Sequence, residues 1–317
     1  MLNITTGKQN RPLKVVLYGS EGIGKSTVAS QFPDPLFIDT EGGTGFLDVR
    51  RIDRPQGWEE LIAIVREVAA TPDICKTLVL DTADWAERLC ADYVCQKYHQ
   101  SSIEGFGYGK GYTYLSEEFC FLLTAMNAVI RSGKHVVVIA HAKMRKQELP
   151  DEAGAFDRWE LKLSRQVAPI LKEWCDLLLF ANYKTYVVST DNNNHKAQGG
   201  KRVMFASHHP CWDAKNRQGL PDEMDLDFAN IAHLFVDLPS PAVPRQPVDQ
   251  LRALLADAGI TEEEFRKIVA AKKHYSEDTP IDEYSDRFLT GWCIKYFDQI
   301  KNIINADTNQ FPATKED

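Results

Sequence analysis

Short apolar runs alternate with longer amphipathic stretches along the first half of the chain. The first run, Leu13–Tyr18, lies between Pro12 and Gly19 and is rich in valine, which predicts a buried strand. Lys25 to Gln31 predicts the first turns of a helix, which Pro33 and Pro35 break. Leu36–Asp39 is a second short strand. A helix follows over about Gly57–Ala70, with Leu61, Ile62, Ile64, Val65 and Val68 on its apolar face. Thr77–Leu80 is a third strand and closes on Asp81. Helical spacing returns from Trp85 to Tyr98, is interrupted by the Gly/Tyr-rich stretch Gly105–Tyr114, and resumes over Leu115–Arg131. His135–Ala140 is a fourth strand. Strand–helix alternation of this kind predicts an α/β fold, a mostly parallel sheet with helices on its faces.

The pattern then changes. Asp176–Ala181, Tyr183–Ser189 and Arg202–Ala206 read as strands, the last two joined by the polar connector DNNNHKAQGG. That predicts an antiparallel hairpin added to one edge of the sheet. Four prolines in LPSPAVPRQP mark residues 238–247 as a linker between a core of residues 1–237 and a small helical region of residues 248–304. Within that region Val248–Ala258 carries Leu251, Leu254 and Leu255, Thr261 before EEEF reads as an N-cap, and Arg287–Ile304 is amphipathic. Residues 305–317 read as a polar, flexible tail.

Composition narrows the function classes. With 44% hydrophobic and 26% charged residues in 317, the chain is ordinary for a globular protein. A net charge of −8 excludes nucleic-acid binding through bulk charge, so any such contact needs a local basic patch. Seven cysteines with no C-x-x-C pair read as reduced thiols, and His208, His209 and Cys211 lack a second ligand pair for zinc. The first residues hold no apolar signal core, and no run approaches the ~18 residues that cross a bilayer. The expectation is a soluble cytoplasmic protein with no membrane partner.

The candidate chemistry begins at Gly19. GSEGIGKS, Gly19 to Ser26, matches G-x-x-x-x-G-K-[ST] between a strand and a helix. Gly19, Gly22 and Gly24 allow the backbone to curl so that N–H groups point inward, and Ser20, Glu21, Ile23 and Thr27 complete the cradle. The helix start adds partial positive charge. Lys25 is expected on the β- and γ-phosphates of ATP and the Ser26 hydroxyl on Mg²⁺. Asp81, at the end of TLVLD, is expected to hold the same Mg²⁺, although an apolar run ending in Asp is also an ordinary strand end.

Two segments interleave cations with aromatics, a composition that suits single-stranded nucleic acid. One holds Phe106, Tyr108, Lys110, Tyr112 and Tyr114. The other follows His141 and holds Lys143, Arg145, Lys146, Phe156, Arg158, Trp159, Lys162 and Arg165. Glu148, Asp151, Glu152, Asp157 and Glu160 share the second, so a mixed-charge lid or a protein interface is the alternative.

GSEGIGKST, LFIDTEGG, TLVLDTADW, FGYGKGY, VVVIAHAK and AKNRQGLP together resemble the phage-encoded RecA-like ATPases of single-strand annealing and recombination. The resemblance covers Gly19 to Pro221 and implies a RecA-like P-loop NTPase core. It implies that Glu41, after the second strand, activates the attacking water; otherwise Glu41 is a loop carboxylate before a glycine turn. It implies that His141 senses the γ-phosphate, in place of the glutamine usual there; otherwise His141 is a solvated turn residue. Lys215 and Arg217 would reach the γ-phosphate of a neighbouring subunit in a homo-oligomer, or form a solvated basic loop. The implied function is a DNA-stimulated, Mg²⁺-dependent ATPase acting on single-stranded DNA in the host cytoplasm. A ring motor or helicase loader, a small-molecule kinase and a nucleotide-gated interaction module stay open as alternatives. The C-terminal helices lie outside the resemblance. They either bind a partner such as a single-strand binding protein or cap the core.

Overall fold

Lys14–Gly19 forms strand β1, and Val15 to Tyr18 are wholly buried because both faces of the strand are covered. The computed structural model describes residues 6–7, 11–148, 154–190, 194–235 and 247–308. The chain divides into two compact units, Met1–Pro241 and Ala242–Asp317.

In the first unit β1 is followed by α1 (Lys25–Ala29), β2 (Pro35–Asp39), β3 (Arg50–Ile52), α2 (Trp58–Ala70) and β4 (Thr77–Asp81). Then come α3 (Ala83–Lys97), α4 (Lys110–Arg131), β5 (His135–Glu148), β6 (Ala155–Leu161) and α5 (Val167–Trp174). Strands β7 (Leu177–Thr190), β8 (Asn194–Phe205), β9 (Lys215–Asn216) and β10 (Glu223–Asp225) complete it. The sheet order is β10-β8-β7-β1-β5-β4-β2-β3, with β6 paired to β5 and β9 to β7. Strand β1 runs parallel to β5 and to the first part of β7, and β2, β3, β4 and β5 continue the parallel set. The fold is α/β: a mostly parallel sheet with an added antiparallel hairpin, accompanied by C-terminal helices.

Alternation along β1 sorts the core into two layers. Val16 and Tyr18 pack with Trp58, Leu61, Cys90, Phe119 and Leu171 from α2 to α5. Val15 and Leu17 pack on the opposite face with Ile23, Val28, Phe32 and Phe235. All seven cysteines are free.

The structure departs from the sequence expectations in three places in this unit. The fourth strand does not stop at Ala140. It runs on to Glu148, and Ala142 to Glu148 pair antiparallel with β6. Charged residues alternate along that stretch, so it carries no apolar signal. Helix α4 starts at Lys110 rather than Leu115, after a short turn of helix at Ile103–Phe106. Gly111 permits this: a Cβ there would stand 2.1 Å from the Ile103 carbonyl oxygen. From Asn194 on, the polar connector is itself strand. β7 continues without a break to Thr190, and β8 begins at Asn194; residues 191–193 lie outside the described residues.

In the second unit α6 (Pro247–Ala258) and α7 (Glu262–Ala271) pack Leu251, Leu255, Phe265 and Val269 with Ile281, Leu289, Cys293 and Ile300. Thr261 caps α7: its hydroxyl accepts from the Glu264 N–H at 3.2 Å, and the Glu264 carboxylate accepts from the Thr261 N–H at 2.8 Å. The single helix expected over Arg287–Ile304 is broken. Asp286–Phe288 leads into a wide turn at Leu289–Ile294, around Gly291, before the last helix, Phe297–Thr308. That helix enters the segment expected as a tail, while residues 309–317 lie outside the described residues. The expected linker also lies outside them, except Pro247. Among the described residues no helix is long and apolar enough to cross a membrane.

Gly111→Ala forces a methyl group against the Ile103 carbonyl. It is expected to lower stability by about 1–3 kcal/mol in urea unfolding.

Candidate nucleotide-binding and catalytic site

Parallel pairing aligns the ends of four strands. Gly19 is opposite His141, Asp81 is opposite Ile139, and Asp39 is opposite Asp81. The P-loop, the loop after Asp39, and His141 therefore share one edge of the sheet. Gly19 is required by close approach: a Cβ would stand 2.1 Å from the Ala181 carbonyl oxygen on β7. Gly22 and Gly24 have φ of +70° and +107°, in the left-handed region that favours glycine. Ile23 between them is buried in the core and anchors the loop. Ser20, Glu21 and Thr27 complete the turn, and Glu21 pairs with Lys162 at 2.9 Å.

Lys25 is buried, and its ammonium donates to the carbonyls of Gly19 at 3.1 Å and Ser20 at 2.8 Å. The Ser26 hydroxyl donates to Asp81 Oδ2 at 2.5 Å. These contacts join the P-loop to β4 across β5.

A second row of side chains shapes the opposite wall. Asp39 Oδ1 accepts from the N–H groups of Glu41, Gly42 and Gly43, at 3.1, 2.6 and 3.3 Å. Its Oδ2 accepts from the Thr44 N–H and hydroxyl, at 2.9 and 2.6 Å. Burial works against its charge, but these hydrogen bonds outweigh burial and hold the carboxyl below its usual range. Thr40 ties this loop to β4, donating to the Thr82 carbonyl at 2.9 Å and accepting from the Thr82 N–H at 2.8 Å. Glu41 is thereby presented at the edge, its carboxylate 3.9 Å from His141 Nε2. Asp84, in the first turn of α3, holds His141 twice. Its Oδ1 accepts from the His141 N–H at 3.1 Å, and its Oδ2 lies 2.9 Å from Nδ1. Burial opposes the Asp84 charge, yet the His141 contacts keep its carboxyl below the usual range. An ionised Asp84 only accepts, so Nδ1 carries the proton and Nε2 faces Glu41.

The pocket has more negative than positive groups. Burial pushes the Lys25 ammonium down, against Asp81, Asp84, Glu41 and Glu21, which favour its charge. Burial, with Asp39 and Glu41 nearby, raises Asp81 to about 6 despite the Ser26 hydrogen bond. Oxygen donors at Ser26 and Asp81, and a carboxylate short of positive partners, fit Mg²⁺. Among the described residues no group of three or more His, Cys, Asp or Glu is arranged to hold a metal, so such an ion would also rely on phosphate and water oxygens.

A family model described as an AAA domain, AAA_24, matches residues 11–218. The chain belongs to the AAA_24 family. It is a P-loop NTPase of the AAA type. It is 25% identical over 142 residues to the SPbeta prophage-derived uncharacterized protein YorG of Bacillus subtilis (strain 168). That match spans 42% of each chain, less than half the length of this relative. A crystal structure of a KaiC-like protein from Pyrococcus horikoshii OT3 aligns with a TM-score of 0.34 and 15% identity, covering 62% of this chain and 79% of that one.

The structure corrects several expectations for the AAA_24 chain. Lys215 is not a free cation. Its ammonium donates to the carbonyls of Lys172, Glu173 and Cys175, at 3.0, 3.0 and 2.6 Å, and so caps the end of α5. Arg217 is exposed in the following turn, so the two side chains are not presented together. Both lie near the start of β7, since Lys215 is opposite Leu178, three residues before Ala181 at Gly19. Among the expected DNA contacts, Arg158 is held by Asp213 at 2.5 Å and Lys143 donates to the Leu163 carbonyl at 2.6 Å. Arg145 lies 3.8 Å from Glu160. Lys110 and Lys146 are exposed. Three residues at the site had escaped the sequence reading. Asp84 stood in view three positions after Asp81, and Asp39 two before Glu41, but neither spacing reveals what it bonds. Arg202 left no signal at all, because only strand pairing brings it to the P-loop.

A carboxyl raised to about 6 from an ordinary 3.8 binds its proton more tightly in the folded chain than in the unfolded one. Its contribution to stability therefore increases as pH falls from about 7 toward 4. Asp81→Asn is expected to raise the melting temperature of the nucleotide-free protein at pH 7.5, an advantage that shrinks by pH 5. A melting temperature unchanged at both pH values would contradict the buried, charged carboxylate.

Proposed function

We propose that this AAA_24 domain hydrolyses ATP and couples the cycle to single-stranded DNA in phage recombination, annealing or repair. The observation that supports hydrolysis is the line Asp84–His141–Glu41, with 2.9 and 3.9 Å steps, beside the P-loop. In this reading Lys25 and the loop N–H groups hold the phosphates. Glu41 orients the attacking water and takes its proton while the water oxygen bonds to the γ-phosphorus and the bond to the ADP oxygen breaks. Asp84 is a positioning residue: it fixes the His141 ring through Nδ1, so that Nε2 accepts from the attacking water, or donates to the terminal phosphate once it too carries a proton. Mg²⁺ held by Ser26 and Asp81 would neutralise phosphate charge.

The DNA role rests on the motif resemblance, on the prophage origin of the relative, and on the exposed cations Lys110, Lys146 and Arg165 with exposed Tyr108. We also propose that the chain works as a homo-oligomer in the host cytoplasm. Arg217 lies at the start of β7, away from its own P-loop, so its finger role would serve a neighbour. The same argument supports the second reading, a ring motor or helicase loader.

Glu41→Gln is expected to keep ATP affinity and to lower turnover about 10²–10⁴-fold. Unchanged turnover removes the assignment. Wild-type turnover is expected to rise with single-stranded DNA at low salt and less at high salt. Indifference to DNA at both salts would favour an interaction module or a kinase. Mixing Arg217→Ala with Lys25→Ala subunits is expected to restore part of the activity that each lacks alone. No recovery means that sites act independently.

A further inference from the structure

Residues alternate across the faces of β8. Met204 and Ala206 lie in the core layer shared with α1 and Ile23, so Arg202 points to the same face. There its guanidinium extends over the P-loop. Nη1 lies 3.4 Å from the Ile23 carbonyl oxygen and 3.1 Å from where a Cβ on Gly24 would stand. Glycine at position 24 thus supplies the left-handed turn and also the room for this arginine. The neighbouring hairpin lysines are matched with carboxylates, Lys184 with Glu223 at 2.5 Å and Lys201 with Asp225 at 2.6 Å. Arg202 is exposed and forms no ion pair with a carboxylate among the described residues. A guanidinium whose contact is one long bond to a carbonyl is matched to an anion that arrives with the ligand.

Sheet order says which part of the ligand that is. Asp81, Glu41 and His141 lie on the β5–β4–β2 side of β1, whereas β7 and β8 lie on the other side. The γ-phosphate belongs with the first group. Arg202 therefore flanks the nucleoside half. The contact comes from the same chain, through the β1–β7–β8 pairing of Gly19 with Ala181 and of Tyr183 with Arg202.

We infer that Arg202 leaves the Ile23 carbonyl and binds the α-phosphate of the nucleotide in its own P-loop. The inference rests on the ATP-binding reading above. An α-phosphate contact is the same in ATP and ADP, so it strengthens binding without favouring the transition state. Arg202 is then an affinity residue, distinct from an arginine finger.

The test compares MgATP, MgADP and inorganic tripolyphosphate binding by calorimetry, with steady-state ATPase, for wild type, Arg202→Ala, Arg202→Lys and Lys25→Ala. Arg202→Ala is expected to weaken all three ligands by about tenfold and to place the loss in KM rather than in kcat. Arg202→Lys is expected to recover part of the affinity. Unchanged MgADP affinity, or a fall in kcat at constant KM, overturns the inference. Weaker nucleotide with unchanged tripolyphosphate assigns Arg202 to the base and overturns it as well. Should Arg202→Ala not fold, Arg202→Gln carries the same comparison. Normal binding and turnover by Lys25→Ala would instead remove the nucleotide-site reading itself, whereas silent Arg202 variants beside an inactive Lys25→Ala remove only the role of Arg202.

Discussion

The parallel register that ends β1, β5, β4 and β2 together is the constraint on which the site depends. Gly19, His141, Asp81 and Asp39 come from segments far apart in the chain, yet Gly19, Asp81 and Asp39 end their strands and His141 ends the parallel part of β5. Backbone pairing holds them level. A slip of one residue in any strand would turn its site residue to the other face of the sheet. The register is secured by strands buried on both faces and by the Gly19–Ala181 approach, which excludes every side chain larger than hydrogen.

Within that frame each acidic residue is handled differently. Asp39 is neutralised locally by the N–H groups of the loop it shapes. Asp84 is matched to the backbone and ring of His141. Asp81 has one hydroxyl and a burial penalty, and it is the group a cation would relieve. Glu41 stays at the edge, within reach of water. Four carboxylates in one pocket thus have four different roles, set by what each one accepts.

Two hairpins leave the sheet from the same edge. β5 passes through His141 before pairing with β6, and Lys162, just after β6, meets Glu21 of the P-loop. β7 passes Ala181 beside Gly19 before pairing with β8, which brings Arg202 over the loop. Both hairpins are therefore rooted against the phosphate cradle, one on each side of β1. Several cations near them serve the fold itself: Arg158 and Lys172 converge on Asp213, and Lys215 closes the end of α5.

The sequence by itself determined the elements whose cause is local. Short apolar runs became β1, β2 and β4, and the glycines of GSEGIGKS became a turn that needs left-handed backbone. Thr261 before EEEF became a capped helix. The β5–β6 hairpin was not legible, because its charged residues bury little and its stability comes from cross-strand pairing. The partners of Lys215, Arg158 and Lys143 were not legible either: a cation in sequence looks the same whether it meets solvent or three carbonyls. Asp84 and Arg202 show the limit most clearly. Periodicity places a side chain on a face, but which atoms lie opposite depends on strand order and register, and only the folded sheet decides those.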